Sequence, residues 1–241
     1  MLRVPQHDIL FFDLNTKINP DLVTNSTMEN LSFKLISNTD YKQLREALTS
    51  NPALANEGVP LDDNPAKGHP LHRVCDAVFA NKITDEQAIE IAKILLEFGA
   101  DIDGFKSQND NNTPLIAASS LNAEQLAIFY INKGADIYYT PKSDGGTALH
   151  WACYCGKDKL VAKLIESSAK LNQPDTSYQS TPIGWAIHPL FAGGKHNVHH
   201  QLQCVKLLLK AGADQSLVDS RTMGYLRSVA EGDKELAGLI K

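Results

Sequence analysis

Several things that would each have set the class of this protein are scarce in its sequence. Only four cysteines occur in 241 residues, too few for the disulfide-stapled scaffolds of small secreted domains. Positive charge is not in excess: 23 Lys and Arg stand against 28 Asp and Glu, a formal net charge of −5. That argues against nucleic acid or an anionic membrane as the main partner, because both attract a basic footprint. No apolar run nears the roughly 18 residues that a membrane span requires. The opening stretch, with Asp8 and Asp13 around a short apolar run, does not read as a secretion signal. The motifs of serine hydrolases, zinc proteases, phosphate loops and dinucleotide folds are missing too. What is there is a globular composition, 43% hydrophobic and 21% charged. These absences lead us to expect a cytoplasmic, non-catalytic protein without cofactor or metal.

The chain is repetitive. Four segments open alike: His-Pro-Leu-His at 69–72, Thr-Pro-Leu-Ile at 113–116, Thr-Ala-Leu-His at 147–150 and Thr-Pro-Ile-Gly at 181–184. Four end alike: Gly99-Ala100-Asp101, Gly134-Ala135-Asp136, Ser168-Ala169-Lys170 and Gly212-Ala213-Asp214. Openings are spaced 44, 34 and 34 residues apart and endings 35, 34 and 44. A period near 34 with about ten extra residues in two repeats accounts for all of them. Thr113-Pro114 and Thr181-Pro182 read as helix starts, the hydroxyl accepting a free amide and Pro fitting the first helical position. A second helix runs to each ending. Thr84 with Gln87, and Asn122 with Gln125, have capping-box spacing, and Gly99, Gly134 and Gly212 suit the left-handed residue that stops a helix.

This pattern resembles the ankyrin repeat, whose unit carries Thr-Pro-Leu-His and Gly-Ala-Asp at a period near 33. The resemblance covers about residues 26–241, and the repeat at 147–170 matches best, departing only where Ser168 and Lys170 replace Gly and Asp. It implies an all-α solenoid of helix-turn-helix units with connecting loops. We divide the chain into an N-terminal segment, 1–25, of unassigned role and a repeat domain, 26–241. The domain comprises a cap at 26–56, repeats at about 65–103, 109–138, 143–173 and 177–215, and a cap at 219–241. In the first cap Ser26-x-x-Glu29 is read as opening a helix containing Leu31, Leu35 and Ile36, and Asp40-x-x-Gln43 as opening a second. In the last, helices are expected at 222–230 and 233–240.

Aligning the repeats sorts the chemically attractive residues. The columns Ile91, Leu126, Leu160, Cys204 and Ala92, Ala127, Val161, Val205 and Leu95, Tyr130, Leu164, Leu208 form the apolar stripe of the second helix. Cys75, Cys153 and Cys204 thereby become core residues. Cys155 lies nearer a turn, where exposure would be needed for a reactive thiol. The resemblance gives His72 and His150 a structural role on loop backbone and Thr. His69-x-x-His72-x-x-Cys75 has helical spacing for a metal face, though the repeat pattern accounts for two of its three residues without one, and His196 and His200 have i, i+4 spacing in an insertion that holds no carboxylate.

The resemblance also implies where a partner would sit: on the concave face and loop tips, at positions just before each opening and just after the small residues of the first helix. Carried over, these are Asp110, Asn112 and Leu121 in one repeat, Asp144 and Tyr154 in the next, and Tyr178 and His188 in the third. Trp151 and Trp185 share a column beside this groove, where Arg73 and Ala117 stand in the other two repeats. The implied function is protein–protein binding by a monomeric adaptor, with no nucleic acid and no membrane. Two alternatives stand beside it. One is a bacterial effector-type protein that binds a host protein after delivery to a host cell. The other is a metal or thiol enzyme using the His-rich stretch 188–204 or Cys155. Both insertions, about Ala77–Asp85 and Pro189–His199, fall between the two helices of their repeats, to form a second contact site or to lengthen helices.

Overall fold

The computed structural model describes residues 31–61, 64–105, 112–141, 145–191 and 197–241. Its helices come in pairs. Ser32 caps α1 (Phe33–Ser37), its Oγ accepting from the Leu35 amide at 3.1 Å, and Asp40 caps α2 (Tyr41–Ser50) through the Gln43 amide at 2.9 Å. The first expectation needs correcting. Leu31 precedes α1, because Ser32 holds the cap; Ser26 and Glu29 lie outside the described residues. Four longer pairs follow: α3 (Pro70–Phe79) with α4 (Asp85–Glu97), α5 (Pro114–Ser120) with α6 (Glu124–Asn132), α7 (Ala148–Tyr154) with α8 (Asp158–Glu166), and α9 (Pro182–Phe191) with α10 (Val198–Lys210). The chain closes with α11 (Ser220–Ala230) and α12 (Lys234–Leu239), within two residues of where they were expected.

First helices stack on first helices, α1 on α3 and onward to α9 on α11, and second helices likewise from α2 to α12. The result is a two-layered solenoid. All twelve residues of the three aligned columns are buried, and each large one contributes about 1.5–3 kcal/mol of apolar transfer. Tyr130 carries a hydroxyl into this stripe and satisfies it on the Leu71 carbonyl at 3.0 Å. The extra residues of the insertions lengthen helices. α3 and α9 have 10 residues against 7 in α5 and α7, and α4 and α10 have 13 against 9 in α6 and α8.

The repeats are tied together at their ends by side chains reaching across. Thr84 and Gln87 form the expected capping box. The box expected at Asn122 is absent: Asn122 is left-handed at φ 56°, and the carboxylate of Asp85, from the preceding repeat, takes the Gln125 and Leu126 amides at 2.7 and 2.9 Å. Glu124 does the same for the Leu160 amide at 3.2 Å, and Asp158, its counterpart, takes the Nδ1 of His200 at 2.8 Å. Each first carboxylate of a second helix thus sits at the positive N-terminus of the next one. Thr113 caps α5 as expected, at 3.3 Å. Thr181 does not cap α9; its buried hydroxyl has no hydrogen-bond partner among the described residues.

One element was not legible beforehand, a two-stranded antiparallel hairpin of β1 (Val59–Leu61) and β2 (Asn64–Gly68) with Val59 opposite Gly68. Arg73 holds it. Its guanidinium donates to Val59 O at 2.8 Å and Ala66 O at 2.6 Å and pairs with Asp76 at 2.6 Å.

Candidate functional site

The first-helix layer changes character along the chain at the column four residues after each opening. Arg73 clamps the hairpin and Ala117 is small, but Trp151 and Trp185 meet edge-to-face, 5.2 Å apart at 80°. Both are nearly buried, so packing between repeats is their first role. Trp185 is oriented by Asp175, whose carboxylate accepts its indole N–H at 3.0 Å together with the amides of Ser177, Tyr178 and Ser180 at 2.6–2.9 Å. Asp175 is itself fully buried. Four donors satisfy its charge, and the loop carrying Tyr178 is held in one shape.

At the preceding position, the last of the opening motif, the repeats differ again. His150 bridges two repeats, its Nδ1 on Thr147 Oγ1 at 2.8 Å and its Nε2 donating to Ser180 O at 3.2 Å. Burial lowers its pKa to about 4, so the ring stays neutral. The equivalent residue in the following repeat is Gly184, which has no side chain to send toward α11. A Cβ built there would crowd Ser180 Oγ, and the rest of the junction stands open as a cleft of about 530 Å³.

Tyr154, Tyr178, Trp185 and His188 line this cleft, with Phe191 on one side and Leu217, Val218 and Arg221 on the other. The rings form a continuous run: Tyr154 is 6.0 Å from Trp185 and 6.3 Å from His188, and Phe191 is 5.1 Å from His188 and 5.3 Å from Tyr225. Of the contact residues carried over from the sequence, then, four converge at one place. Trp151 lies beneath them, 7% exposed, and supports Trp185 in place of facing a partner. Asn112 and Leu121 belong to the α5 repeat and do not line the cleft. Asp110 and Asp144 lie outside the described residues. Sequence reasoning missed Phe191, Leu217 and Arg221. Gly184 in the histidine column was the one visible sign of a gap.

The other candidates take structural places. His69 caps α3, its Nδ1 accepting from Leu71 N at 3.2 Å, with Nε2 on Asn56 at 3.1 Å. Its pKa is lowered to about 4 by burial. Cys75, Cys153 and Cys204 are fully buried. Cys155 is half-buried with its thiol 3.7 Å from Ser120 O, and burial pushes it up to about 11, away from the thiolate a nucleophile needs. His196 is outside the described residues and His200 is engaged by Asp158. Among the described residues no three His, Cys, Asp or Glu side chains gather as a metal site, and no helix is long and apolar enough to cross a membrane.

Comparison with known proteins agrees with this architecture. Residues 122–219 match the family model "Ankyrin repeats (3 copies)". A fowlpox virus (strain NVSL) protein named for its ankyrin repeats is 38% identical over 137 residues, 57% of this chain and 37% of that protein. Palmitoyltransferase ZDHHC13 of Mus musculus is 32% identical over 115 residues, 44% of this chain and 17% of the enzyme. The chain thus spans well under half the length of these curated relatives. Among solved structures, the ankyrin repeat protein EF0377 superposes with a TM-score of 0.60 at 25% identity, over 86% of this chain and 94% of that one.

Proposed function

We propose that this chain, an ankyrin-type solenoid whose residues 122–219 match ankyrin repeats, is a non-catalytic adaptor that holds a partner protein on its first-helix layer and loop tips, centred on the cleft between α9 and α11. Ankyrin repeats are in general protein–protein interaction modules. The observation that carries the placement is the convergence of Tyr154, Tyr178, Trp185 and His188 on one open cleft, from positions up to 34 residues apart in the chain. Aromatic side chains concentrate binding energy because they offer large rigid area at low entropic cost. The walls are preorganised by Asp175, so little ordering is needed on binding. In this reading the binding unit is residues 26–241, acting as a monomer in the cytoplasm. The match to the palmitoyltransferase covers 17% of that enzyme and is a likeness to its repeats.

The test is affinity capture from lysate of the source organism, wild type beside the Tyr154→Ala/Tyr178→Ala/His188→Ala variant, after circular dichroism shows both equally helical. Proteins held by wild type and released by the variant support the placement. Equal capture by both overturns it.

A further inference from the structure

We propose that the cleft between α9 and α11 receives a bulky apolar side chain from an extended segment of the partner, and that a carboxylate beside that side chain is held by Arg221. This rests on the binding role proposed above and specifies the partner's chemistry.

Two features of the cleft carry it. The first is apolar area without cover. Phe191 and Leu217, which flank the opening, are 40% and 51% exposed, and both are among the few large apolar residues so exposed in the described part of the chain. Behind them the Trp185 and Tyr154 rings make an apolar floor at a volume suited to a side chain and its backbone. The second is charge. Two ionised groups stand at the rim, Asp219 and Arg221. The Asp219 carboxylate is already engaged at the N-terminus of α11, accepting from the Arg221 and Thr222 amides at 3.1 and 3.0 Å and from Thr222 Oγ1 at 2.6 Å. The Arg221 guanidinium makes no ion pair among the described residues, on a chain whose net charge is −5. The rim therefore presents one guanidinium fork without an ion pair among the described residues, beside a carboxylate whose oxygens are taken by α11's own donors. A guanidinium fits a carboxylate in bidentate geometry. It also repels an ammonium, which turns an aromatic cleft of this kind away from cationic side chains.

The two tryptophans of the chain, Trp185 in the wall and Trp151 at 5.2 Å behind it, make intrinsic fluorescence a direct reader of occupancy. The full chain is titrated with acetylated, amidated pentapeptides in which a central Phe, Leu or Ala is flanked on both sides by Glu, Gln or Lys. Saturable emission changes are expected for Phe and Leu flanked by Glu. An Ala centre, or Gln or Lys flanks, should weaken binding by about tenfold or more. Arg221→Glu should reverse the preference between Glu and Lys flanks. Gly184→His should abolish the response while leaving the unfolding midpoint in place. The inference is overturned if no peptide titrates up to about 1 mM, if Ala binds as well as Phe, or if Arg221→Glu leaves the flank preference unmoved. Failure here is separable from failure of the binding role. If the triple variant loses its captured partner and Arg221→Glu keeps it, the carboxylate partner is wrong and the binding face stands. If the triple variant keeps every partner, both fall.

Discussion

The junction between α7 and α9 and the junction between α9 and α11 are built from equivalent helices and finish differently. At the first, His150 reaches from Thr147 to Ser180 O and fills the space between repeats. At the second, Gly184 offers nothing, and the space is a solvent-open cleft with rings on the α9 side and Leu217, Val218 and Arg221 on the other. The solenoid tolerates the exchange because the buried residues of both helix layers and the carboxylates at the next second helix stay in place. A repeat can therefore lose an inter-repeat bridge locally without losing its neighbours, since each unit contacts only those beside it. A binding site can arise by leaving a bridge out.

The largest expected effect separates the two junctions by pH. His150 and His69 both titrate near 4 in the folded chain against 6.5 when unfolded, because burial disfavours the charged ring. Between those values the unfolded chain binds more protons, so stability is full above pH 6.5 and falls as the pH drops toward 4. The loss is on the order of 3 kcal/mol for each ring at most. Urea unfolding at pH 7 and pH 4 measures it, and His150→Gln should remove the part of the difference that this ring contributes. A pH-independent midpoint would mean that the filled junction is not sealed from water.

The next effect concerns the support shared by both junctions. Asp175→Ala leaves three loop amides and the Trp185 indole N–H without their acceptor. It should cost about 3 kcal/mol in urea unfolding and red-shift the tryptophan emission. A cost under about 1 kcal/mol would show that the Tyr178 loop keeps its shape unaided.

Making the filled junction resemble the open one is a milder change. His150→Gly removes a bridge and its packing and should cost about 2 kcal/mol. Deeper quenching of tryptophan by acrylamide would report the new opening. The reverse change, Gly184→His, is expected to be the smallest, within about 0.5 kcal/mol of wild type. The side chain enters open space once Ser180 Oγ rotates aside. A loss of several kcal/mol would mean that the cleft is filled by structure that cannot move.

Much of the fold was legible because its signals are local. Period, opening and ending motifs are set by helix caps and by the left-handed stop, seen at φ 85–92° for Gly99, Gly134 and Gly212 and at φ 66° for Ser168. The buried columns followed from the 3.6-residue repeat of a helix. The cap expected at Asn122 failed because the true partner came from another repeat. The amides credited to Asn122 went to Asp85, 40 residues away, and a carboxylate at that distance is invisible to spacing rules. The hairpin was missed for the same reason: Arg73 makes it, from outside the segment.

The candidate site divides along the same line. By itself the sequence determined which residues stand at equivalent positions, Tyr154, Tyr178, Trp185 and His188 among them, since register follows from counting once the repeats are found. Only the tertiary structure decided that these four share one cleft while Asn112 and Leu121 do not, that Trp151 lies under the wall, and that Phe191, Leu217 and Arg221 complete it. The reason is physical: a repeat's sequence dictates its own helices, but the space between two repeats depends on the side chains both send into it. At this junction that depends on an absent one, at Gly184.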